Sequence, residues 1–273
     1  MWRCIAAAMT EFSLAFASLV LLLGFAVSLL SGFLGIGGGI VMAPALLYLP
    51  PLLGVGLLDM RQVTGLTITQ GLFACLSGAL RHDRYRQVNR RLVRWMGGSL
   101  FLSALAGSIL SKWIANEALM MIFAGLALVA AVLMCFPTQV REEVQDAETC
   151  VFDLRLALGI ALVVGVLGGM VGQGGSFILV PLMLYALRLP VRVAIGSNLA
   201  LVFFSCLAGF AGKLATGQIP FLLAACLVAG ALPGAQVGSI LSQRTRPNWL
   251  RIGLAVVVGL SALGIAIDVL AEV

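Results

Sequence analysis

The stretch Gly32–Pro44 reads GFLGIGGGIVMAP, and Gly169–Pro181 reads GMVGQGGSFILVP. Both fit G-x-x-G-x-G-G-[GS]-x-x-x-x-P, and both interrupt long apolar runs. Glycine is a poor helix former and tolerates positive φ, so a cluster this dense breaks a helix. Inside a bilayer, the freed backbone groups are tolerated only where they line protein or a watery cavity. The two blocks are offset by 137 residues, and Tyr48/Tyr185 keep that offset. Further on the offset becomes 131, pairing Arg61 with Arg192, Gly65 with Gly196, Gly78 with Gly209, Gln87 with Gln218 and Gly107 with Gly238. A register kept over this length marks an internal duplication.

Composition fixes the setting. The chain has 273 residues, 61% of them hydrophobic and only 10% charged. A soluble domain carries about 25% charged residues. A water-soluble enzyme, a nucleic-acid-binding domain and a disordered chain are therefore excluded, and a polytopic all-α membrane protein remains. Apolar runs predict 8–10 membrane segments. Each half is expected to be a glycine-tipped, broken or re-entrant helical hairpin plus three transmembrane helices. The first repeat takes residues 1–136 and the second 154–273, with a polar linker at 137–153. The N-terminal apolar stretch after Arg3 reads as an uncleaved first helix rather than a signal peptide.

Three crossings after each hairpin is an odd number, so the second half should be inverted. With the Arg81–Arg94 loop in the cytoplasm, 13 of the 17 Lys/Arg residues fall inside. The positive-inside rule then favours inverted repeats with both termini outside.

The chemistry is expected at the glycine clusters. If Gly39–Tyr48 and Ser176–Tyr185 are half-helices, with Pro44 and Pro181 a few residues in, their N-termini offer amide groups and a positive dipole end to an anion. Candidate substrate-binding residues are Gly35, Gly37, Gly38, Gly39, Gly172, Gln173, Gly174, Gly175 and Ser176. Thr67 and its counterpart Asn198 join them from the following helices, with Thr64, Gln70, Ser197 and Ser205 nearby. The simpler alternative is close helix packing through small-x-x-x-small patterns. Arg81, His82 and Lys213 are candidate gate or vestibule cations. Their plainer reading is snorkelling anchors at the helix ends, with His82 exposed beside arginines.

Several classes lack their signatures. The six cysteines form no C-x-x-C, and no Cys/His metal cluster or H-E-x-x-H occurs. No nucleotide-binding G-x-x-x-x-G-K-[ST] is present. No acidic residue lies deep in a crossing, so no coupling carboxylate is visible. Catalytic residues, metals and cofactors are accordingly expected to be none. The partners expected are a small anionic substrate and the lipid bilayer, not nucleic acid. The architecture leaves room for a homodimer, but no feature identifies an interface.

The paired blocks at Gly32–Pro44 and Gly169–Pro181, the small-residue helices after them and the two-half layout resemble the sulfite exporter TauE/SafE family, also called TSUP permeases. The resemblance covers nearly the whole chain. It implies a multi-pass permease of the cytoplasmic membrane for sulfite, sulfoacetate or other organosulfonates. Gln173 stands where the first half has Ile36, so the halves are chemically unequal there. The expectation is a secondary exporter working by alternating access. An anion channel or a permease for another oxyanion or organic anion on the same architecture is the alternative, and a membrane scaffold a more distant one.

Overall fold

The computed structural model describes residues 14–135, 147–150, 152–172, 175–250, 252–253 and 256–257. The linker segment 136–146, Gln173, Gly174 and both chain ends lie outside the described residues. The fold is all-helical, with no strand among the described residues. In the first half, α1 is Leu14–Leu34, α2 Gly39–Leu52, α3 Met60–Arg84, α4 Arg90–Leu110 and α5 Asn116–Cys135. In the second, α6 is Leu154–Val171, α7 Ser176–Tyr185, α8 Val191–Ala215 and α9 Phe221–Arg244. Six of these helices (α1, α3, α4, α6, α8 and α9) are long and apolar enough to cross a membrane. The protein is a multi-pass membrane protein.

Two helices are short. At 1.5 Å rise per residue, α2 and α7 span roughly 21 and 15 Å. Both fall short of a hydrocarbon core of about 30 Å. α2 runs on through Pro44, Pro50 and Pro51, and α7 through Pro181.

The membrane-crossing helices extend further than the apolar runs. Asp59 caps α3 in a capping box: its carboxylate accepts from the Gln62 amide at 2.7 Å, and Gln62 accepts from the Asp59 amide. Asn89 caps α4 by accepting from the Leu92 amide. The expected Arg81–Arg94 loop is therefore only Tyr85–Asn89, and most of its arginines lie on helix ends.

The two halves pack through reciprocal contacts. A methyl group on Gly32 of α1 would overlap the Ala235 carbonyl of α9, and one on Gly169 of α6 would overlap the Ala104 carbonyl of α4. Gly238 lies against the Leu29 carbonyl and Gly107 against that of Val166. Each pair is the other with its residues exchanged at offsets of 137 and 131. Backbone touches backbone because glycine removes the side chain, and without a hydrophobic drive in lipid such close packing supplies the attraction.

α3 and α8 form the centre and are the most buried of the long helices. Gly65 meets Gln218, Gly209 meets Ile68, Gly78 meets Leu199 and Gly196 meets Gln87. As numbers rise along one helix they fall along the other, so α3 and α8 run antiparallel.

Candidate functional site

The glycine blocks are the places where α1 breaks into α2 and α6 into α7. Gly35, Gly37 and Gly38 have φ of 72°, 66° and 79°, and Gly172 and Gly175 have φ of 78° and 71°. A side chain at these angles costs about 1–2 kcal/mol per residue. Space forbids it as well. A methyl on Gly37 would stand 2.6 Å from Ser176 Cβ, and one on Gly38 would stand 2.7 Å from Gln70 Nε2. The first loop thus touches the first residue of α7, and the two short helices begin side by side.

Each loop is tied to the other half. Asn198 on α8 donates one amide hydrogen to the Gly35 carbonyl and the other to the Ser176 carbonyl, the latter at 3.1 Å. Its counterpart Thr67 on α3 places its hydroxyl 3.1 Å from the Gly172 carbonyl and 3.1 Å from that of Thr64. Ile195 fills the space beside Gly35, and its counterpart Thr64 fills that beside Gly172. The sequence-derived candidates on both halves therefore meet, Gln173 and Gly174 excepted because they lie outside the described residues.

The donor and acceptor inventory is uneven. Gly39 and Ser176 open α2 and α7, and Val41, Met42, Ile178 and Leu179 fold back onto the Gly38 and Gly175 carbonyls. Among the described residues, no acceptor meets the Gly37, Gly38 or Gly39 amides. The buried atoms Ser176 Oγ, Asn198 Oδ1, Gln70 Oε1, Ser31 Oγ and Ser205 Oγ also find no hydrogen-bond partner. Buried polar atoms are paired in the great majority of cases, so these atoms are exceptions among the described residues. Ser31, which carries one of these atoms, and Ser28, whose hydroxyl accepts from Gln70 Nε2 at 2.7 Å, were not sequence candidates. Their one sequence signal is polarity within an apolar helix.

The three cations are placed differently from the anchor reading. Lys213 is 0% exposed. Its ammonium donates to Thr64 Oγ1 at 3.0 Å, Gln218 Oε1 at 3.1 Å and Ser111 Oγ at 3.3 Å. No carboxylate pairs with it among the described residues. His82 is 1% exposed, with Nδ1 2.9 Å from Gln87 Oε1 and Nε2 3.3 Å from the Gly32 carbonyl. The exposed histidine and the snorkelling lysine expected from sequence are thus corrected. Their hydrogen-bond partners lie on neighbouring elements of the bundle, which draw both side chains inward. Arg81 stays half-buried over the Tyr85 ring, 5.9 Å from its centroid. Two polar layers result. One joins His82, Gln87, Gln243 and Arg192, and the other joins Lys213, Thr64, Ser111 and Gln218. They sit toward opposite ends of the α3–α8 pair.

No group of three or more His, Cys, Asp or Glu residues poised for a metal occurs among the described residues.

The family model described as "Sulfite exporter TauE/SafE" matches residues 20–265. The chain is 24% identical over 243 residues to the "Probable membrane transporter protein YunE" of Bacillus subtilis (strain 168), covering 83% of this chain and 88% of that one. It is 22% identical over 255 residues to the "Probable membrane transporter protein MJ0441" of Methanocaldococcus jannaschii, covering 90% and 93%. A "Probable membrane transporter protein" of Haemophilus influenzae is 28% identical over 198 residues, or 72% of each chain. No solved structure gives a significant match. The chain belongs to the sulfite exporter TauE/SafE family, which is a family of membrane transporters and not of enzymes.

Proposed function

From that membership, we propose that the chain is a secondary transporter of the cytoplasmic membrane exporting a small sulfur-containing anion. Sulfite, sulfoacetate and other organosulfonates are the substrate class. The anionic head is held where α2 and α7 begin, by the amides of Gly37, Gly38 and Gly39 and those of Gly175 and Ser176. The Ser176 hydroxyl donates beside them. Two positive helix ends meeting at one point favour a negative guest without a full charge in the site. The observation that carries this reading is the contact of Gly37 with Ser176, which brings both helix starts together.

Asn198 and Thr67 act by holding the loops, since their donors already face loop carbonyls. In the sequence, the second block carries the polar Gln173 where the first has Ile36, so the two blocks differ chemically.

The mechanism is alternating access between two inverted halves, a reading supported by the antiparallel α3–α8 pair and the exchanged glycine contacts. The polar layers around His82 and Lys213 are the two gates, with Arg81 at the mouth of the first. Every described residue of the two loops is buried, which fits an occluded carrier better than an open anion channel.

The test is purified protein screened by thermal shift against sulfite, sulfoacetate, taurine, sulfate and thiosulfate, because a ligand of the folded state raises its stability. Saturable exchange of labelled substrate in proteoliposomes is expected, with binding lost in Ser176→Ala and in folded Gly38→Leu and Gly175→Leu. Unchanged affinity in all three variants removes the tips from the mechanism. Single-channel currents in place of saturable exchange favour the channel.

A further inference from the structure

The duplication leaves two equivalent grooves on the outside of the bundle, and they are unequal. The first lies between α4 and α8 and holds about 760 Å³. Arg90 and Arg94 stand at one end, Gly98 and Phe101 follow along α4, and Phe204 and Leu207 of α8 form the wall. The second lies between α9 and α3 and holds about 450 Å³. At the 131-residue offset, Phe221 and Ala225 replace the two arginines, and Val228 and Ala229 replace Gly97 and Gly98. The glycines deepen the first groove, and the arginines give it a charged end that the second lacks.

Spacing and chemistry select the occupant. Residues 90, 94, 97, 98 and 101 follow a helical period, so they share one face of α4. From Arg90 to Leu102 that face runs roughly 18 Å. This is the scale of one leaflet, half of a core about 30 Å thick. Its walls are apolar and partly turned outward: Phe204 and Leu207 are 37% and 40% exposed. Trp95, also exposed, stands next to Arg94, as aromatic residues do at the level of lipid headgroups. Arg90 makes a solvent-exposed ion pair with Asp83 at 3.2 Å, whereas Arg94 meets no acceptor among the described residues. Among the described residues, the end of the groove therefore carries one guanidinium, that of Arg94, outside any ion pair.

We propose that this groove is a binding site for an anionic phospholipid, with its headgroup phosphate on Arg94 and Arg90. One acyl chain lies over Gly97 and Gly98 against Phe101, Phe204 and Leu207. The second groove takes lipid chains without selecting headgroup charge. The planar guanidinium fits phosphate oxygens in a bidentate fork.

The test uses the full chain in detergent micelles with added phosphatidylglycerol or phosphatidylcholine, followed by thermal unfolding and native mass spectrometry. Gly98→Leu puts a branched side chain into the groove, since nothing lies within 4 Å of a Cβ built there. Arg94→Gln removes the charge, and Ala229→Leu makes the matching change in the second groove. Phosphatidylglycerol is expected to raise the wild-type melting temperature by about 5 °C more than phosphatidylcholine near saturation. That difference should vanish in Gly98→Leu and Arg94→Gln and persist in Ala229→Leu. Equal shifts by both lipids in wild type overturn the proposal. So does a phosphatidylglycerol preference that survives both α4 variants. Loss of a dimer in Gly98→Leu, without any lipid preference in wild type, assigns the groove to a second copy instead.

Discussion

Replacing Asn198 by leucine keeps the number and branching of the side-chain heavy atoms and removes both amide donors that tie the loops together. The Gly35 carbonyl loses its partner, the Ser176 carbonyl keeps only its bond within α7, and both residues lie buried. A hydrogen bond inside a membrane protein contributes about 0.6–1.5 kcal/mol net. Two lost at once, with the Gly35 carbonyl left bare, place the destabilisation at about 2–3 kcal/mol. Thr67→Val is the matched experiment at the equivalent position. Its single hydroxyl hydrogen serves one of two carbonyls at a time, so the expected loss is about 1 kcal/mol. Asn198→Asp separates the bond from the shape: it puts a carboxylate against two carbonyls and should cost more than leucine. The assay is reversible unfolding in mixed micelles, read by near-UV circular dichroism, with ligand affinity measured in parallel. A loss for Asn198→Leu no greater than for Thr67→Val would refute the assignment of Asn198 as the tie between the tips. So would an aspartate variant as stable as wild type.

Four further outcomes are expected. Gly32→Ala and Gly169→Ala should each destabilise by about 1–3 kcal/mol and by similar amounts, because equivalent carbonyls receive the methyl. Gly98→Ala, which meets open space, should be neutral or gain up to about 1 kcal/mol from helix propensity, and chemical unfolding distinguishes these outcomes. Lys213→Met removes a buried cation that has no carboxylate partner, so the recovered desolvation should offset most of the three lost hydrogen bonds. The fold should change by less than about 1 kcal/mol while substrate exchange in proteoliposomes falls, and a large stability loss with intact exchange would make Lys213 structural. A cysteine at Gln173 in a background lacking the native cysteines should react with an impermeant thiol reagent at a rate that substrate changes. Identical rates with and without substrate would argue against a moving tip.

Much of this arrangement is legible in the sequence because hydropathy and glycine spacing survive without tertiary context. The two offsets place Gly32 with Gly169 and Ala104 with Ala235, and the folded contacts exchange these same residues. The glycine blocks break the helices as expected from their φ requirements. Helix ends were harder to read. Arg81, His82 and Arg84 look like a loop, yet cations suit the last turn of α3, where the dipole end is negative. Burial of Lys213 and His82 was not legible at all. It depends on Ser111 and Gln218 in one case and on Gly32 and Gln87 in the other, side chains and carbonyls brought together only by packing. The roles of Asn198 and Thr67 were half legible. Their polarity and pairing pointed to the site, but only the folded contacts show their donors facing loop carbonyls rather than open space.

The most direct measurement is a structure determined with selenite, an electron-rich relative of sulfite, and phased to show selenium by anomalous scattering. A peak between the Gly37–Gly39 amides and Ser176, within hydrogen-bond reach of both, is the predicted result. A peak confined to the Lys213 or His82 layer, with the loops unliganded, would contradict the account.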